Sequence, residues 1–410
     1  MMQKRLLSLL LITVAVLGIG LILSQRQQPV SSDGRAESGP LVPALASALN
    51  DVSSLRIVKA KDELVAELTR TESGWVVSNR HNYPADMGKV RAYLIKLSEA
   101  KLREAKTSKP ENYARIGVED VSAEGATGVA VELGGLKEPV RLIVGMASGG
   151  GSPGTFVRRA GEAESWLVSG DVIPDKEGPN WLAREVLDVP SADIHAVTVT
   201  APDKSVLKID KADPAAFNYA VQGVPKGRAL SSESAANAIA GVLSSVTLED
   251  ALPAAEATPD AASTWQATFV GYDGLVVDLT LWDQDTRSWA KFAARLDEAR
   301  LDAWVAAEKT KADAARAQAE AAAASAAKPA DEAKPGEGDQ PADPAVADAA
   351  AAPAIPEPFD ADKAKADKRA ALDKRIAEIN AKTSPWVYAI PTWKTANVKK
   401  KMEDLLAPKS

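Results

Sequence analysis

The chain of 410 residues contains no cysteine, only two histidines, and few aromatic side chains (5% of the total). Without cysteine it forms no disulfide, offers no thiolate to a metal, and has no thiol nucleophile; this composition is compatible with an oxidising compartment. Acidic side chains outnumber basic ones, 56 to 49, and the formal net charge is −7. A nucleic-acid partner needs a basic surface, so the charge balance predicts that the chain does not bind nucleic acid.

An uncharged apolar segment, residues 6–24, follows Lys4 and Arg5 at the N-terminus. As a helix it would be roughly 28 Å long, close to the ~30 Å hydrocarbon core of a membrane. A cleaved signal peptide is the alternative, but its apolar region is usually about 7–15 residues long. We expect residues 1–24 to form a cytoplasmic start and a transmembrane anchor in a bacterial inner membrane, because basic residues favour the cytoplasmic side. Residues 25–50 would be a linker, and the bulk of the chain would be periplasmic.

The next segment, residues 51–189, is predicted to be an α+β domain. Residues 63–71 alternate in the manner of a half-buried strand. The segment "YPADMGKVRAYLIKLSEAKL" then changes to helical spacing, with Asp86 as its N-cap. Two hairpins follow, and "NWLAREVLDVP" (180–190) is interpreted as a closing short helix.

The same order of patterns begins again after residue 190. Alternating strands in residues 194–210 are followed by "LSSESAANAIAGVLSSV" (230–246), interpreted as a helix with Ser231 or Ser232 as N-cap. The hairpin pattern "WQATFVGYDGLVVDLTLW" comes next. The second copy then lacks a closing strand at the expected place.

A strand-like segment near the C-terminus, "SPWVYAIPTW" (384–393), supplies that strand. Residues 165–187 align with residues 385–406, so that Trp166 corresponds to Trp386. An internal repeat explains an apolar strand with no neighbour in sequence. The predicted fold is therefore an α+β tandem repeat of antiparallel-sheet and helix units. Its second copy consists of residues 190–300 plus 382–410.

An insertion, residues 301–381, separates the two parts of the second copy. Residues 296–327 and 360–381 are rich in Ala, Lys, Glu and Arg, which are good helix formers. Residues 328–358 contain seven prolines, a composition that does not sustain a helix. We predict an antiparallel, coiled-coil-like helical arm with a disordered Pro/Ala-rich tip.

Several phrases together resemble one bacterial family: the apolar N-terminus, "GW.V" before "YPAD...V..YL..L", "Y..IGV" at 113–118, and the second copy. The family is called domain of unknown function 4340. The resemblance implies a membrane-anchored envelope protein with no established catalytic residues, often encoded beside a gliding-motility-type ABC transporter. The second copy departs from the pattern, with Phe217 and Tyr219 where tryptophan is typical.

Two features are candidates for chemistry. Neither His81 nor His195 has a second histidine or a carboxylate at metal-binding or catalytic spacing, so both are expected to be structural or solvated. The glycine-rich residues 145–155 lack the Gly-Lys-Ser/Thr ending of a phosphate loop and are interpreted as a hairpin turn. The sequence therefore predicts no catalytic, cofactor-binding or metal-ligating residue, and no cofactor.

The tryptophans fall into two sets. Those at strand positions are expected in the core: Trp75, Trp166, Trp265 and Trp386. Those near turns are expected to be exposed and to carry any ligand or partner signal: Trp181, Trp289 and Trp393. The lysine-rich residues 394–409 are interpreted as a solvated helix face, with contact to anionic lipid as the alternative.

These observations favour a non-catalytic, membrane-anchored periplasmic accessory or scaffold protein of an ABC-transporter-type or envelope complex. The partners would be the inner membrane, through residues 6–24, and proteins of that complex. The alternative is a periplasmic carbohydrate-binding or hydrolytic module that uses exposed tryptophan and acidic residues. The sequence identifies no small-molecule ligand.

Overall fold

A computed structural model describes residues 39–149, 153–326 and 355–408. The chain divides into two compact units, Met1–Ala183 and Arg184–Ser410. Within the described ranges, helices and antiparallel strands are mixed in each unit, which confirms the α+β class.

The first unit contains a nine-stranded antiparallel sheet in the order β4-β3-β2-β1-β6-β7-β8-β9-β5. Its strands are β1 (Ser54–Lys59), β2 (Glu63–Thr71), β3 (Gly74–Val77), β4 (Tyr83–Pro84), β5 (Leu102–Thr107), β6 (Val129–Gly134), β7 (Val140–Ala147), β8 (Gly154–Arg159) and β9 (Ser165–Ser169). The two hairpins predicted from alternating apolar residues are β6–β7 and β8–β9.

Among the described residues of the first unit, the helices are α1 (Leu45–Ala48) and α2 (Met87–Glu99), with 3-10 turns at Leu49–Asp51, Ala60–Asp62, Ser78–Arg80, Pro110–Arg115 and Gly178–Trp181. Helix α2 begins where the sequence predicts, because the side chain of Asp86 accepts a hydrogen bond from the backbone N–H of Lys89 at 2.9 Å. Its inward stripe is buried: Val90, Tyr93, Leu94 and Leu97.

The predicted closing helix at residues 180–190 is wrong. The chain makes one 3-10 turn, and residues 182–183 then run extended beside residues 84–85, with a backbone bond of 2.9 Å from Ala183 N–H to Pro84 O. Backbone pairing with this neighbour replaces the helical bonds that the local sequence favours.

The second unit contains an eight-stranded antiparallel sheet in the order β13-β12-β11-β16-β17-β18-β19-β15, and a separate β10–β14 pair. Its strands are β10 (Glu185–Leu187), β11 (Ile194–Thr200), β12 (Val206–Asp210), β13 (Ala220–Val221), β14 (Val246–Thr247), β15 (Asp250–Pro253), β16 (Trp265–Gly271), β17 (Leu275–Gln284), β18 (Arg287–Leu296) and β19 (Trp386–Ile390).

In the part of the second unit that the structure describes, the helices are α3 (Asn237–Ala240), α4 (Glu298–Ala326), α5 (Ala361–Thr383), α6 (Thr392–Thr395) and α7 (Met402–Leu405), with 3-10 turns at Ser191–Asp193, Gly241–Leu243 and Ala254–Glu256. The helix predicted at 230–246 is therefore much shorter than expected, and neither Ser231 nor Ser232 caps it. Leu230 instead forms a β-bridge with Leu406, and the Ser231 N–H donates to Leu405 O at 2.8 Å, which holds this segment extended.

Strand β19 is the segment near the C-terminus that has no partner nearby in sequence. It lies between β18 and β15, with Ala389 opposite Trp289 and Val387 opposite Leu252. The predicted pairing of this strand with the second sheet is thus confirmed. Residues 297–385 separate β19 from its neighbour β18 along the chain.

Both faces of β19 are covered. Tyr388 is fully buried; its ring lies 6.2 Å from that of Phe292, and its hydroxyl donates to Lys382 O at 2.8 Å. The alternate residues Val387 and Ala389 belong to a different buried cluster, which also contains Trp282 and Trp289. Trp386, expected in the core, is only half-buried.

The predicted helical arm consists of α4 and α5. The two helices run antiparallel, because Glu298 pairs with Arg369 at 2.8 Å and Asp302 pairs with Lys365. In the described part of the arm, the buried residues all lie near its base: Leu301, Val305, Leu372 and Thr383.

The base of the arm also completes an open edge of β18. The Asn380 side chain accepts from Ala294 N–H and donates to Ala294 O, both at 2.8 Å, and the Thr383 hydroxyl donates to Phe292 O at 3.3 Å. Strand β19 pairs with β18 only along Ser288–Ala290. Side chains of α5 therefore supply the hydrogen bonds that a longer strand would have made.

The lysine-rich C-terminal segment is not a single solvated helix. It contains the two short helices α6 and α7, and three of its lysines contact the protein. Lys394 is 7% exposed and donates to the carbonyls of Ser244 and Ser245, whereas Lys399 pairs with Asp283 and Lys401 with Asp203.

Two predictions lie outside the described residues: the transmembrane anchor at residues 6–24, and most of the disordered tip at residues 328–358. In the described part of the chain, no helix combines the length and the hydrophobicity needed to cross a membrane.

Candidate functional site

The residues of "YPAD...V..YL..L" build the core of the first unit. The Tyr93 hydroxyl donates to Val172 O at 3.1 Å, and its ring meets that of Trp181 edge-on at 5.7 Å. Burial raises the pKa of Tyr93, so its hydroxyl stays protonated. Trp181 is 1% exposed and donates from Nε1 to Asp175 O at 3.1 Å. These residues hold helix α2 on the unit.

An ion pair links helix α2 to residues 175–180. Lys89 pairs with Asp175 at 2.5 Å and donates to Asn180 O at 3.1 Å. Although burial works against ionisation, hydrogen bonds from Lys89, the Glu177 backbone and Asn180 lower the pKa of Asp175. Every polar group in this cluster has a partner within the protein, which is typical of a structural role.

Residues of the motif "Y..IGV" contact a buried arginine, Arg158. Arg158 is 5% exposed, lies 4.6 Å from the ring centre of Tyr113, and donates from Nε to Val118 O at 2.9 Å. Its guanidinium also pairs with Asp120 at 2.6 Å. Gly117 has φ 71°, and a Cβ there would lie 2.9 Å from the Thr127 hydroxyl, so this turn requires glycine. This phrase therefore positions a structural arginine.

The two histidines have different surroundings. His81 is exposed and follows the 3-10 turn Ser78–Arg80 in a left-handed conformation. His195 is half-buried; its Nδ1 lies 3.0 Å from Lys211 O, and its ring meets that of Tyr272 edge-on at 5.3 Å. Burial and the charge of Arg300 lower the pKa of His195. Across the described ranges, no group of three His, Asp or Glu side chains is arranged to hold a metal.

The tryptophan prediction is partly wrong. Trp181 and Trp289 are 1% and 6% exposed, so two of the three expected surface tryptophans are buried. Trp393 is 69% exposed, as predicted. A position near a turn in the sequence did not imply exposure. Trp289 lies inside the long strand β18, and Trp181 packs against Tyr93 of α2.

The glycine-rich residues 145–155 include the end of β7 and the start of β8. These two strands pair with each other, with Ala147 opposite Thr155. The hairpin interpretation is confirmed for the described residues on either side of positions 150–152.

The cavity with the most convergent chemistry lies in the second unit, where the arm meets the sheet; we call it the arm-base cavity. Its volume is about 450 Å³. Tyr272 and Asp273 line it from the β16–β17 turn, and the rest of the lining comes from residues near 192 and 212–214 and from both arm helices. Four cationic side chains line it, Arg300, Lys311, Lys368 and Arg375, together with three carboxylates, Asp193, Asp273 and Glu308.

Most of these charges are already neutralised. Lys368 pairs with Asp273 at 2.8 Å, and its ammonium lies 5.2 Å from the ring centre of Trp304. Lys311 pairs with Glu308 at 2.7 Å. The two arginines, in contrast, make no side-chain hydrogen bond or ion pair with any residue in the described ranges, and Nε of Arg300 is buried.

Sequence reasoning missed Arg300 and Arg375. Both lie on Ala-rich polar helices, where an arginine ordinarily faces solvent. The available signal was Trp304, a large aromatic in an otherwise small and charged helix.

A second cavity, of about 600 Å³, lies in the first unit and is lined by Lys106, Lys109, Arg115, Phe156 and Glu164 among others. Arg115 and Lys109 are exposed, and Lys106 pairs with Glu104 at 2.7 Å. This groove has cations that water already solvates, so it is a weaker candidate than the arm-base cavity.

Comparison with protein families finds one match. Residues 75–264 match the model of DUF4340, a domain of unknown function, which confirms the resemblance seen in the sequence. No curated protein and no solved structure matches the chain. The matched region contains helix α2 with its partners Asp175 and Trp181, and it contains Arg158. It ends before Arg300 and Arg375 of the arm-base cavity.

Proposed function

We propose that the chain is a non-catalytic, membrane-anchored periplasmic accessory or scaffold protein of an ABC-transporter-type or envelope complex. The observation that carries this proposal is the helical arm. Its base is bonded to the second sheet, while no residue of α4 between 312 and 324 is buried. A rigid polar helix held away from a packed domain is suited to contact another protein.

The chemistry of the arm supports the same role. Many of its charges are paired along each helix, as in Arg316–Glu320 at 2.8 Å and Lys363–Asp367 at 2.5 Å. Beyond the buried base residues Leu301, Val305 and Leu372, the arm helices have no continuous apolar face to bury against their own domain. The motif residues of the first unit, meanwhile, are engaged in packing and hydrogen bonds.

The alternative, a carbohydrate-binding or hydrolytic module, has less support. Of the three tryptophans predicted to form its platform, two are buried and Trp393 is exposed. Removal of Trp393 would be the first test of that alternative.

The accessory role is tested by cross-linking from the arm in cells. A photoreactive residue at Gln318, which is exposed on α4, should link to a transporter or envelope subunit, and one at Lys137, exposed on the β6–β7 turn, should not. Replacement of residues 312–360 by a short Gly/Ser linker should abolish the complex while leaving the melting temperature nearly unchanged. Retention of the complex by this variant, or equal cross-linking from both sites, would contradict the proposal.

The proposed topology has its own test. A reporter that is active only in the periplasm should be active when fused after Ser410, because Lys4 and Arg5 favour a cytoplasmic N-terminus. An inactive periplasmic fusion together with an active cytoplasmic one would overturn it.

A further inference from the structure

We propose that the arm-base cavity is a binding site for an oxyanion, a carboxylate or a phosphate, carried by a small ligand with a planar or apolar part. The inference does not depend on the accessory role, because it concerns one cavity within the second unit.

Arg300 is the principal group. Its Nε is buried, and its guanidinium has no hydrogen-bond acceptor among the described residues. A buried donor without a partner is costly, and a buried charge without one more so. Its positive charge is close enough to lower the pKa of His195, and His195 offers no anionic partner in return. One donor of the guanidinium, Nε, is therefore buried without a partner, and the remaining N–H groups of this partly buried side chain are open to a ligand or to water.

The other arm helix provides a second unpaired cation. Arg375 lines the same cavity from α5, and Lys368 stands between a carboxylate partner and an aromatic ring. Guanidinium groups bind carboxylate and phosphate through two parallel N–H···O bonds, and both oxyanions fit that geometry. The two arginines, one from each arm helix, would each offer such a pair of donors to a ligand in the cavity.

The nearby carboxylates do not fill this role. Asp273 is engaged by Lys368 and Glu308 by Lys311, whereas Asp193 is exposed and makes no ion pair within the described ranges. The acids therefore leave both arginines available to a ligand.

The walls of the cavity favour an organic ligand over a bare ion. Trp304 and Tyr272 both line it, and Tyr272 is fixed because its hydroxyl donates to Lys211 O. Burial raises the pKa of Tyr272, so it stays neutral. A volume of about 450 Å³ is in the range of small-molecule sites, which pair apolar walls with a few oriented polar groups.

Calorimetry on the purified full-length chain at constant ionic strength tests the inference. The probes are inorganic phosphate and benzoate, with neutral benzamide as the matched control for the aromatic ring. We expect saturable binding of at least one anion with a Kd near or below about 1 mM, and none of benzamide. Phosphate without benzoate would assign the site to phosphate-bearing ligands, and the reverse to carboxylates.

Variants locate the binding. Arg300→Gln and Arg375→Gln should each weaken the anion at least about tenfold, which corresponds to 1.4 kcal/mol. Arg316→Gln, a change on the exposed arm, should bind as the wild type does. Arg375→Gln remains informative if Arg300→Gln fails to fold, because its side chain is only half-buried. Absence of saturable binding for both anions, or wild-type affinity in the Arg375 variant, would overturn the inference.

Discussion

The two sheets share one strand order but differ in how they are closed. The order β3-β2-β1-β6-β7-β8-β9-β5 of the first corresponds strand by strand to β13-β12-β11-β16-β17-β18-β19-β15 of the second. In the first unit, residues 160–164 connect the corresponding pair β8 and β9; in the second, residues 297–385 connect β18 and β19. The place of a strand is set by its pairing and burial rather than by its distance along the chain.

Burial explains how the longer connection is tolerated. If both connections were flexible loops, the second span would cost roughly 2.5 kcal/mol more in closure entropy than the first. Helices α4 and α5 occupy much of the second span, so its flexible part is shorter. Strand β9 has two of its five residues buried, whereas β19 has four of five. The additional apolar burial on β19 acts against that cost.

The largest expected effect comes from removing the central side chain of β19. Tyr388→Ala should lower the free energy of unfolding by about 3–5 kcal/mol, because the ring is fully buried and its hydroxyl bond is lost. Leu167→Ala, in the half-buried part of β9, should cost clearly less.

Denaturant unfolding of the purified protein measures this difference, with Trp393→Ala as the control, since that aromatic is exposed and should change stability by no more than about 0.5 kcal/mol. Equal losses of stability for Tyr388→Ala and Leu167→Ala would contradict the comparison between β19 and β9.

An intermediate effect is expected at the arm base. Asn380→Ala removes both hydrogen bonds to Ala294 and should cost about 1–3 kcal/mol, because it leaves backbone groups of β18 without partners. Lys374→Ala, on an exposed position of the same helix, is the matched control and should be near neutral. Thermal and denaturant unfolding check both variants. If Asn380→Ala were also neutral, α5 would not replace a strand at this edge.

The smallest effect is a pH dependence confined to the second unit. Burial and Arg300 lower the pKa of His195 in the folded state, so the unfolded chain binds the proton more readily. The associated stability is present above about pH 6.5 and is lost as pH falls through the folded pKa. The wild type should therefore lose more stability than His195→Gln between pH 7.5 and pH 5. Parallel pH profiles would exclude this contribution.

The strands could be predicted from the sequence, whereas the structure of the polar segment at residues 230–246 could not. Alternation identified both hairpins of the first unit, and the repeat placed β19, because a strand with apolar residues on both faces has to pair inside a sheet. The prediction of a helix at 230–246 was wrong because Leu230 pairs with Leu406, which is far away in the sequence. No local pattern contains such a contact.

The candidate site depends on the same kind of long-range information. Arg300 and Tyr272 belong to segments whose sequences indicate a polar helix and a tight turn. Their convergence follows from the docking of the arm on β18, which the sequence shows only through the length of the insertion. Lys394 was likewise assigned to solvent, although it is buried against two backbone carbonyls.

Hydrogen exchange measured along the intact chain tests most directly whether β19 is an interior strand of the second sheet. Amides of Val387–Ile390 should exchange as slowly as those of β17, because β18 and β15 flank the strand on its two sides. Amides of residues 312–324, on the exposed part of α4, should exchange much faster. Exchange of Val387–Ile390 at the rate of those arm residues would contradict the account.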